Sequence, residues 1–515
     1  MQTEETTKSR YQTLAKDREE FLERGRQCSK LTVPFLLPEE GHNKTQRFFT
    51  PFQSFGSRAV NNLASKLLLA LFPTSAPFFR YAADEADIQL AETQNENIRT
   101  EIETGLKKRE KIAMAYLENT PYRAPFFLAL KLLIVSGNAL IYLADDDNIR
   151  VYRLDSYVVK RDPVGNVLEI ITEEKVDPIT LSEEIRAEAK LDQNEKDKDK
   201  QRENVCLFTH IKRTAKGWTV HQEINEVMLE STKGTYPLDD CPWLALRFSR
   251  IDGEDYGRGL VEEYFGDLVS LDGFRQNLTE GAAAMSKIVF LVRKNGQTRL
   301  KDIATAENGD VKYGSAEDVT TLQAEKRADF SVVRETSRDI EIELAKAFLL
   351  NSSVQRDAER VTAQEIRYIA RELEDTLGGV YTVQTQEFQL PFIKIFTKRL
   401  EKKKKLQKLP SGSVTPRIVT GLAALGRTDD LDKMLQMVEI LKGVPNALNK
   451  LNEDVFIERL ATALFIDQEG LIKTAEQLAA EQEQQAMMQV GMEAAPKMMQ
   501  EATKGMMNVQ NQNGS

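Results

Sequence analysis

Apolar residues recur with a helical period through the first part of the chain, from about Tyr11 to Met114. Leu63, Leu67, Leu68 and Leu71 share one helical face. Pro73 marks the end of this helix, because proline cannot donate the hydrogen bond that a helix interior needs. The same period predicts helices from about Glu92 to Glu118 and through the segment Phe126 to Leu133. Apolar stripes of this kind are typical of helix surfaces that face a core.

The period of the pattern changes from about 3.6 to about 2 residues near Gly137, which predicts a change from helix to strand. Turn residues occur at Asp145–Asn148 and at Asp162–Asn166. Strands are predicted at Ala139–Leu143, Ile149–Leu154, Tyr157–Lys160, Val167–Thr172, Val205–Lys212 and Trp218–Ile224. The charged run from Asp192 to Glu203 has no aromatic residue and is interpreted as an exposed, mobile loop. The sequence therefore predicts an antiparallel β region between helical segments.

Helical spacing then returns and predicts one long amphipathic helix from Glu262 to Lys287. A short β-like insert follows from Ile288 through Gly314 to about Leu322, with turns at Asn295-Gly296 and Asn308-Gly309. A further helix is predicted from Ser331 to Leu350. This part of the chain is thus expected to run from helix through short strands back to helix.

The polar segment Asn351–Arg360 precedes a capping box that begins at Thr362, which predicts the start of a very long helix. If this helix continued to about Lys405, it would measure on the order of 65 Å. The glycine pair at Gly378 and the proline at Pro391 should bend it.

The C-terminal part has a different composition. Helices are predicted at Asp430–Lys442 and Val455–Phe465, and a tail rich in Gln, Met, Glu and Ala follows after Leu471. Such a tail cannot build a core alone, so it is either a helix packed against copies of itself or disordered. A chain of 515 residues is expected to form two to four packed regions. The predicted fold class is mixed α+β, with helices dominating.

Composition narrows the classes of protein that fit. Lys and Arg total 70 against 80 Asp and Glu, which gives a net charge of −10. A globally acidic chain does not wrap nucleic acid tightly, because tight binding needs cationic surfaces that release counterions. The three cysteines are too few and too scattered for a disulfide framework or a metal site, which is consistent with assembly in a reducing cytosol. The apolar stretches are too short to span a bilayer, so no membrane contact is expected.

No catalytic motif is found along the chain. There is no Gly-Lys dipeptide for a phosphate-binding loop, no Gly-x-Ser-x-Gly motif, and the three histidines form no metal-binding pair. Paired carboxylates such as Glu254-Asp255 and Glu262-Glu263 are interpreted as solvated helix faces or subunit contacts, and the run Lys402–Lys405 as a solvated helix end rather than a phosphate site. The chain is therefore predicted not to be an enzyme and to need no cofactor or metal.

Four stretches identify a family resemblance. They are NNLASKLLLALFP (Asn61–Pro73), YRLDSYVVKRDPVGNVLEIIT (Tyr152–Thr172), RIDGEDYGRGLVEEYFGDLVSL (Arg250–Leu271) and LLNSSVQRDAERVTAQEIRYIARELEDTLGGVY (Leu349–Tyr381). These blocks are similar to the portal proteins, or head-to-tail connectors, of short-tailed bacteriophages of the podovirus and autographivirus type. The segment after Leu471 departs from that pattern.

The resemblance implies a homododecameric ring around a channel at one vertex of the capsid. Such a ring nucleates head assembly, conducts the genome during packaging and ejection, and binds double-stranded DNA without sequence preference. It docks the terminase large subunit and later the tail adaptor and tail tube proteins, and it contacts major capsid, scaffolding and internal core proteins. The expected location is the virion, after assembly in the host cytoplasm. The alternative is a minor capsid or scaffold-like binding protein without a DNA channel.

The resemblance also assigns regions. They are the wing (1–250), a stem helix (251–287), the clip (288–325), a second stem helix (326–350), the tunnel loop (351–360), a long kinked wing helix (361–408), the crown (409–470) and the tail (471–515).

Acidic residues along the channel of such a ring would keep DNA from adhering, since twelve copies at −10 each carry about −120 in total. Cationic side chains could then touch phosphates transiently. The predicted DNA-channel residues are Arg293, Lys294, Arg299 and Lys301 in the clip, with Arg356 and Arg360 in the tunnel loop. For each of these residues the alternative is an intersubunit salt bridge.

Overall fold

The computed structural model describes residues 6–43, 45–73, 77–83, 98–191, 204–285, 289–322, 327–350, 363–408, 414–419, 437–442 and 456. Residues 1–425 form one compact unit and residues 426–515 a second. In the second unit, residues 437–442 are helical, as predicted for the segment that ends at Lys442. The predicted charged loop 192–203, the segment 351–360 and the tail after Leu471 lie outside the described residues. All elements below belong to the first unit.

The first helices among the described residues are α1 (Thr7–Leu31), α2 (Phe55–Leu71), α3 (Ile98–Glu118) and α4 (Arg123–Ser136). The leucine face of α2 is buried against α4, and α2 ends two residues before Pro73, as predicted. The ring of Phe72 contacts the rings of Phe126, Phe388 and Phe392. Each fully buried phenylalanine contributes roughly 2 kcal/mol relative to an exposed one, so this cluster ties distant parts of the chain together.

Gly137 ends α4 and permits the predicted change from helix to strand. Its φ is +75°, and a Cβ at this position would lie 2.5 Å from the carbonyl carbon of Arg258. Strand β2 (Asn138–Leu143) starts at the next residue. It is the central strand of a three-stranded antiparallel sheet, between β3 (Ile149–Tyr152) and a strand at Trp243–Arg247.

A second, five-stranded antiparallel sheet has the strand order β4-β5-β6-β7-β8. Its strands are β4 (Tyr157–Arg161), β5 (Val167–Val176), β6 (Val205–Arg213), β7 (Trp218–Ile224) and β8 (Val227–Tyr236), and α5 (Glu183–Glu188) lies between β5 and β6 in the chain. Tyr11 and Leu14 of α1 pack on this sheet against Val158, Ile171 and Phe208. The predicted antiparallel region is confirmed. The sequence pattern missed β8 and the strand β9 at Trp243–Arg247, because β9 is buried on both faces and shows no alternation.

A helical hairpin with an insert at its tip follows. Its elements are α6 (Leu260–Glu263), α7 (Phe265–Met285), β10 (Val289–Val292), α8 (Leu300–Ala304), β11 (Val319–Leu322) and α9 (Arg327–Ala347). The prediction of one helix from Glu262 to Lys287 is wrong at its start, because Tyr264, at φ −105° and ψ 19°, leaves the helical region. Helices α7 and α9 pack against each other, and β10 pairs antiparallel with β11. The insert therefore begins and ends in one small sheet.

Three consecutive segments replace the predicted long helix: α10 (Ala363–Gln384), a π-helical turn (Thr385–Gln389) and α11 (Leu390–Lys402). The backbone kinks at Leu377, one residue before Gly378, and Pro391 lies in the first turn of α11. The bend predicted near Gly378 is thus confirmed, and the bend predicted at Pro391 stays a prediction. The last helix ends at Lys402 rather than near Lys405, and Lys404 adopts a positive φ of 56°.

One long-range strand pair was not predicted. Strand β1 (Phe79–Ala83), inside the region predicted to be mostly helical, pairs antiparallel with β12 (Val414–Ile418). Neither five-residue strand has a clear pattern alone, and each is specified by its partner more than three hundred residues away. The overall class, a mixed α+β fold in which helices predominate, is confirmed.

Candidate assembly and DNA-contact surfaces

The insert between α7 and α9 is held in shape by Asp318. The backbone N–H of Thr298 donates to Asp318 Oδ2 at 3.1 Å, and the N–H of Arg293 donates to Asp318 O at 2.9 Å. The hydrogen bond from Thr298 lowers the pKa of Asp318 below its ordinary value. Gly296 lies beside this carboxylate, and a Cβ there would be 2.3 Å from Asp318 Cγ. The turn after β10 is therefore fixed to the start of β11.

The four predicted clip cations lie together on this fixed turn and at the start of α8. Arg293, Lys294, Arg299 and Lys301 are all exposed. With two arginines, two lysines and no acid, residues 289–301 have a formal charge of +4. Within the described part of the chain, none of these four side chains forms an ion pair. They are free to contact phosphate groups or the carboxylates of another subunit.

The other two predicted DNA-channel residues, Arg356 and Arg360, lie outside the described residues. Their role therefore stays a prediction.

The loop after α8 exposes apolar side chains almost completely. Val311 is 97% exposed and Tyr313 is 99% exposed, while Lys312 between them pairs with Asp310 at 3.2 Å. Leu300 at the start of α8 is also largely exposed. Clustered apolar and aromatic side chains that contribute to no core are typical of protein–protein contact sites.

The α7–α9 hairpin has little core of its own. Near the insert, Phe330 lies directly on Gly281, where a Cβ would be 2.3 Å from the ring. Farther along, Arg275 of α7 and Glu341 of α9 form an ion pair at 2.5 Å. Among the described side chains of residues 272–283 and 330–343, only that of Ser337 is fully buried. So small a shared core stabilises this part of the hairpin only weakly, and its exposed surface is available to a covering partner.

The described thiols and histidines are buried in the fold or contact neighbouring side chains. Burial raises the pKa of Cys28 and that of Cys241 to about 12, so both thiols stay protonated at neutral pH. His210 contacts Glu169 at 2.7 Å, and His221 contacts the hydroxyl of Thr7 at 3.3 Å. In the described ranges, no group of His, Cys, Asp and Glu side chains could hold a metal ion. No described helix is long and apolar enough to cross a membrane.

Comparison with known proteins decides the family. The model of a family described as bacteriophage head to tail connecting protein matches residues 4–472. The chain belongs to this head-to-tail connecting protein family. The match ends one residue after Leu471, where the sequence was expected to depart from the family pattern.

Relatives of the head-to-tail connecting family match almost the whole chain. The portal protein of Escherichia phage T7 is 39% identical over 503 residues, covering 95% of this chain and 92% of that protein. The portal protein of Pseudomonas phage phiKMV is 30% identical over 495 residues, covering 94% and 96%. A solved structure of the neck of an empty GTA particle covers 74% of this chain and 86% of its own, at 11% identity and a TM-score of 0.36.

Family membership confirms the portal role predicted from the sequence. The alternative, a minor capsid or scaffold-like protein without a channel, is therefore set aside. The relatives are named portal proteins, and none of these names indicates catalysis.

Lys66, a buried lysine of α2 that contacts the chain just after α9, has a structural role that the sequence pattern did not reveal. Lys66 Nζ donates to the carbonyl of Leu349 at 2.8 Å and to Glu372 Oε2 at 3.0 Å. Asn62 Nδ2 donates to the same carbonyl at 3.0 Å. In the sequence, Lys66 only interrupts an apolar stretch. A lysine inside an otherwise core-facing stripe is itself a signal, because lysine is rarely buried without a partner.

The interpretation of paired carboxylates is wrong for Asp255. Its side chain accepts hydrogen bonds from Lys160 Nζ at 2.8 Å and from the N–H of Arg161 at 2.6 Å, so it joins β4 to the following chain. Glu254 and Glu262 both pair with Arg258. These acids hold one subunit together internally.

Two lysines of the run Lys402–Lys405 are likewise paired within the chain. Lys402 pairs with Asp240 at 3.3 Å, and Lys403 pairs with Asp147 at 2.6 Å. The solvated helix end expected from the sequence is thus joined to the body of the subunit by ion pairs.

Proposed function

We propose that twelve copies of this chain form a ring around a central channel at one vertex of the capsid, through which double-stranded DNA passes during packaging and ejection. The observation that carries the proposal is the part of the α7–α9 hairpin next to the insert, where Ser337 is the one fully buried side chain among those described in residues 272–283 and 330–343. Neighbouring copies on both sides would cover this hairpin, as in any closed head-to-tail ring. In this arrangement the hairpin is the stem and the insert is the clip.

A second exposed apolar surface supports burial against another subunit. Phe48, Phe49 and Phe52 lie within five residues between α1 and α2, and each is 40–46% exposed. The ring of Phe48 stacks on the imidazole of His42. The ammonium group of Lys30 lies 5.1 Å from the centroid of the Phe49 ring, so both rings have a contact within the subunit. Fixed, exposed aromatic rings suit a protein interface because little side-chain entropy is lost on contact.

The clip docks other proteins in this account. Val311 and Tyr313, almost fully exposed at its tip, would insert first into the terminase large subunit and later into the tail adaptor or tail tube. Major capsid, scaffolding and internal core proteins would bind elsewhere on the ring. The ring would assemble in the host cytoplasm and remain in the virion, without nucleotide or metal.

In the proposed ring, DNA contact is weak, transient and independent of DNA sequence. The net charge of −10 per copy disfavours adhesion of DNA to the wall. Arg293, Lys294, Arg299 and Lys301 would touch phosphates transiently at the clip, and Arg356 and Arg360 would do so at the tunnel loop.

Replacement of residues Ile288–Glu325 by a short Gly/Ser linker tests the docking role. Since β10 pairs with β11, the insert closes on itself and its removal should leave the wing folded and the ring formed. Binding of purified terminase large subunit and the amount of DNA packaged into heads should both fall to background. Heads that still package DNA with the shortened chain would show that the motor docks elsewhere.

A further inference from the structure

Helix α9 exposes two rows of charge of opposite sign. Arg334 and Arg338, four residues apart, form the basic row. Glu335, Asp339 and Glu343, also spaced by four, form the acidic row. All five side chains are exposed. Successive residues in an α-helix are rotated by about 100°, so the two rows lie on different flanks of the same helix.

Neither row is neutralised within the part of the subunit that the structure describes. Across the described residues, no ion pair involves any member of either row, although Arg275 and Glu341 pair across the same hairpin. Like charges four residues apart repel each other and destabilise an isolated helix. The repulsion within each row is unfavourable in a single copy, and an oppositely charged row that faces each flank would offset it.

Exposed apolar side chains accompany the rows. Ile342, which continues the basic row by one turn, is 46% exposed, and Val332, near the start of the acidic flank, is 63% exposed. An interface that covers these side chains would also remove water from the neighbouring charges, which strengthens their attraction.

Ring symmetry sets the height of each charged row relative to the rows of the neighbouring copy. Rotation about the ring axis leaves the height of every atom along that axis unchanged, so each residue lies level with its own equivalent in the next copy. The Cα atoms of Arg334 and Glu335 are about 3.8 Å apart, so their heights differ by no more than about that distance, which an arginine side chain can span, and the same holds for Arg338 and Asp339. Two adjacent copies of α9 therefore present charges of opposite sign at matching heights.

We infer that Arg334 and Arg338 of one copy form ion pairs with Glu335 and Asp339 of the next copy, repeated around the ring. The partner is a second copy of this chain, and the contact is heterologous, because the basic flank of each copy meets the acidic flank of its neighbour. The inference rests on the proposed ring and names the residues that close it.

Charge reversal tests this pairing with three full-length variants. The first is Arg334→Glu with Arg338→Glu, the second is Glu335→Arg with Asp339→Arg, and the third combines all four changes. Each double variant should lower the equilibrium constant of each subunit contact by about tenfold or more, because two attractions become repulsions. The combined variant restores opposite charges and should form rings at the parental level. Mass photometry at physiological salt measures the fraction of chain in rings.

Mixing the two double variants gives a sharper outcome. At positions 334, 335, 338 and 339 one variant has four acids and the other has four arginines, so each should remain small alone and the mixture should form rings with alternating copies. The matched control is Lys212→Glu with Arg213→Glu, two exposed cations of β6 whose reversal should leave rings intact. Circular dichroism checks that every variant is folded.

The results separate the inference from the proposed function. A parental chain that forms no ring overturns the ring itself. If the parent forms rings, two results would overturn the pairing: double variants that assemble normally, or a combined variant and a mixture that do not assemble. Either result would leave the proposed portal ring unaffected.

Discussion

Lys66 in α2 and Glu372 in α10 form a buried ion pair, with Nζ and Oε2 3.0 Å apart. The side chain of Lys66 is 8% exposed and that of Glu372 is 16% exposed. The same ammonium group holds the carbonyl of Leu349, just after α9. One cation therefore fixes the end of α9 and the helix α10 to the central helix of the core.

Removal of this cation should lower the free energy of unfolding. Lys66→Ala leaves the Glu372 carboxylate and the Leu349 carbonyl without their partner, and the expected loss of stability is about 3 kcal/mol. Lys30→Ala is the control, since the Lys30–Glu39 pair is exposed and its loss should cost less than about 1 kcal/mol. Urea unfolding followed by circular dichroism measures both. Equal midpoints for the two variants would show that the Lys66 pair does not hold the core.

Glu387 should stabilise the π-helical turn. It lies in that turn and accepts hydrogen bonds from the Nε and the backbone N–H of Arg247, both at 3.1 Å, and Arg161 lies 4.0 Å away. Burial lowers the pKa of Arg161 to about 10, and the nearby Glu387 carboxylate opposes that shift. Glu387→Ala would leave two buried guanidinium groups without this anion and should destabilise the chain by about 3–5 kcal/mol. Glu387→Gln, which keeps acceptor oxygen but no charge, should lose less. A loss below about 1 kcal/mol for the alanine variant would contradict this role.

Much of the fold could be predicted from local pattern, and the rest depends on distant partners. Pro73 and Gly137 end their helices for reasons contained in the residues themselves, and the kink at Leu377 follows in the same way from the glycine pair that begins at Gly378. The π-helical turn does not, because the Arg247 that binds Glu387 comes from a strand 140 positions earlier.

The candidate site shows the same division between local and distant information. The four clip cations were found because lysine and arginine are visible in any sequence. The charge rows of α9 required knowledge of which flank of that helix is left uncovered by α7. Lys66 required the position of Glu372, on a helix brought close only by folding.

Acid should weaken the contact between α1 and the five-stranded sheet through Glu169. Burial acts to raise the pKa of Glu169, but hydrogen bonds from His210 at 2.7 Å and Arg10 at 2.8 Å outweigh it and lower the pKa from 4.5 to about 2. Since the folded pKa is below the unfolded value, the carboxylate stabilises the fold above 4.5, and this contribution is lost as pH falls from 4.5 toward 2.

The pH dependence of Glu169→Gln tests this contact. The variant should be less stable than the parent at neutral pH, and the difference should shrink at about pH 3. Glu226→Gln, which removes an exposed partner of Lys8, should stay near the parent at both pH values. Urea midpoints at the two pH values give the comparison, and a difference that is independent of pH would rule out the carboxylate as its source.

The clip cations should control the salt dependence of DNA binding. Changing Arg293, Lys294, Arg299 and Lys301 to alanine should weaken binding of the ring to linear duplex DNA. The slope of log affinity against log salt should become shallower, by up to about 0.9 for each lost phosphate contact. Lys312→Ala is the control, because Lys312 is already paired with Asp310. An unchanged slope would exclude DNA contact at these residues, and rings that no longer form would assign them to intersubunit salt bridges.

The central claim is that this chain assembles by itself into a portal ring. Native mass spectrometry of the purified full-length chain at physiological salt, without nucleotide or metal, tests it most directly. The account predicts one dominant species of twelve subunits, which disperses when the charge rows of α9 are made to repel. A homogeneous monomer across the physiological range of salt would contradict it.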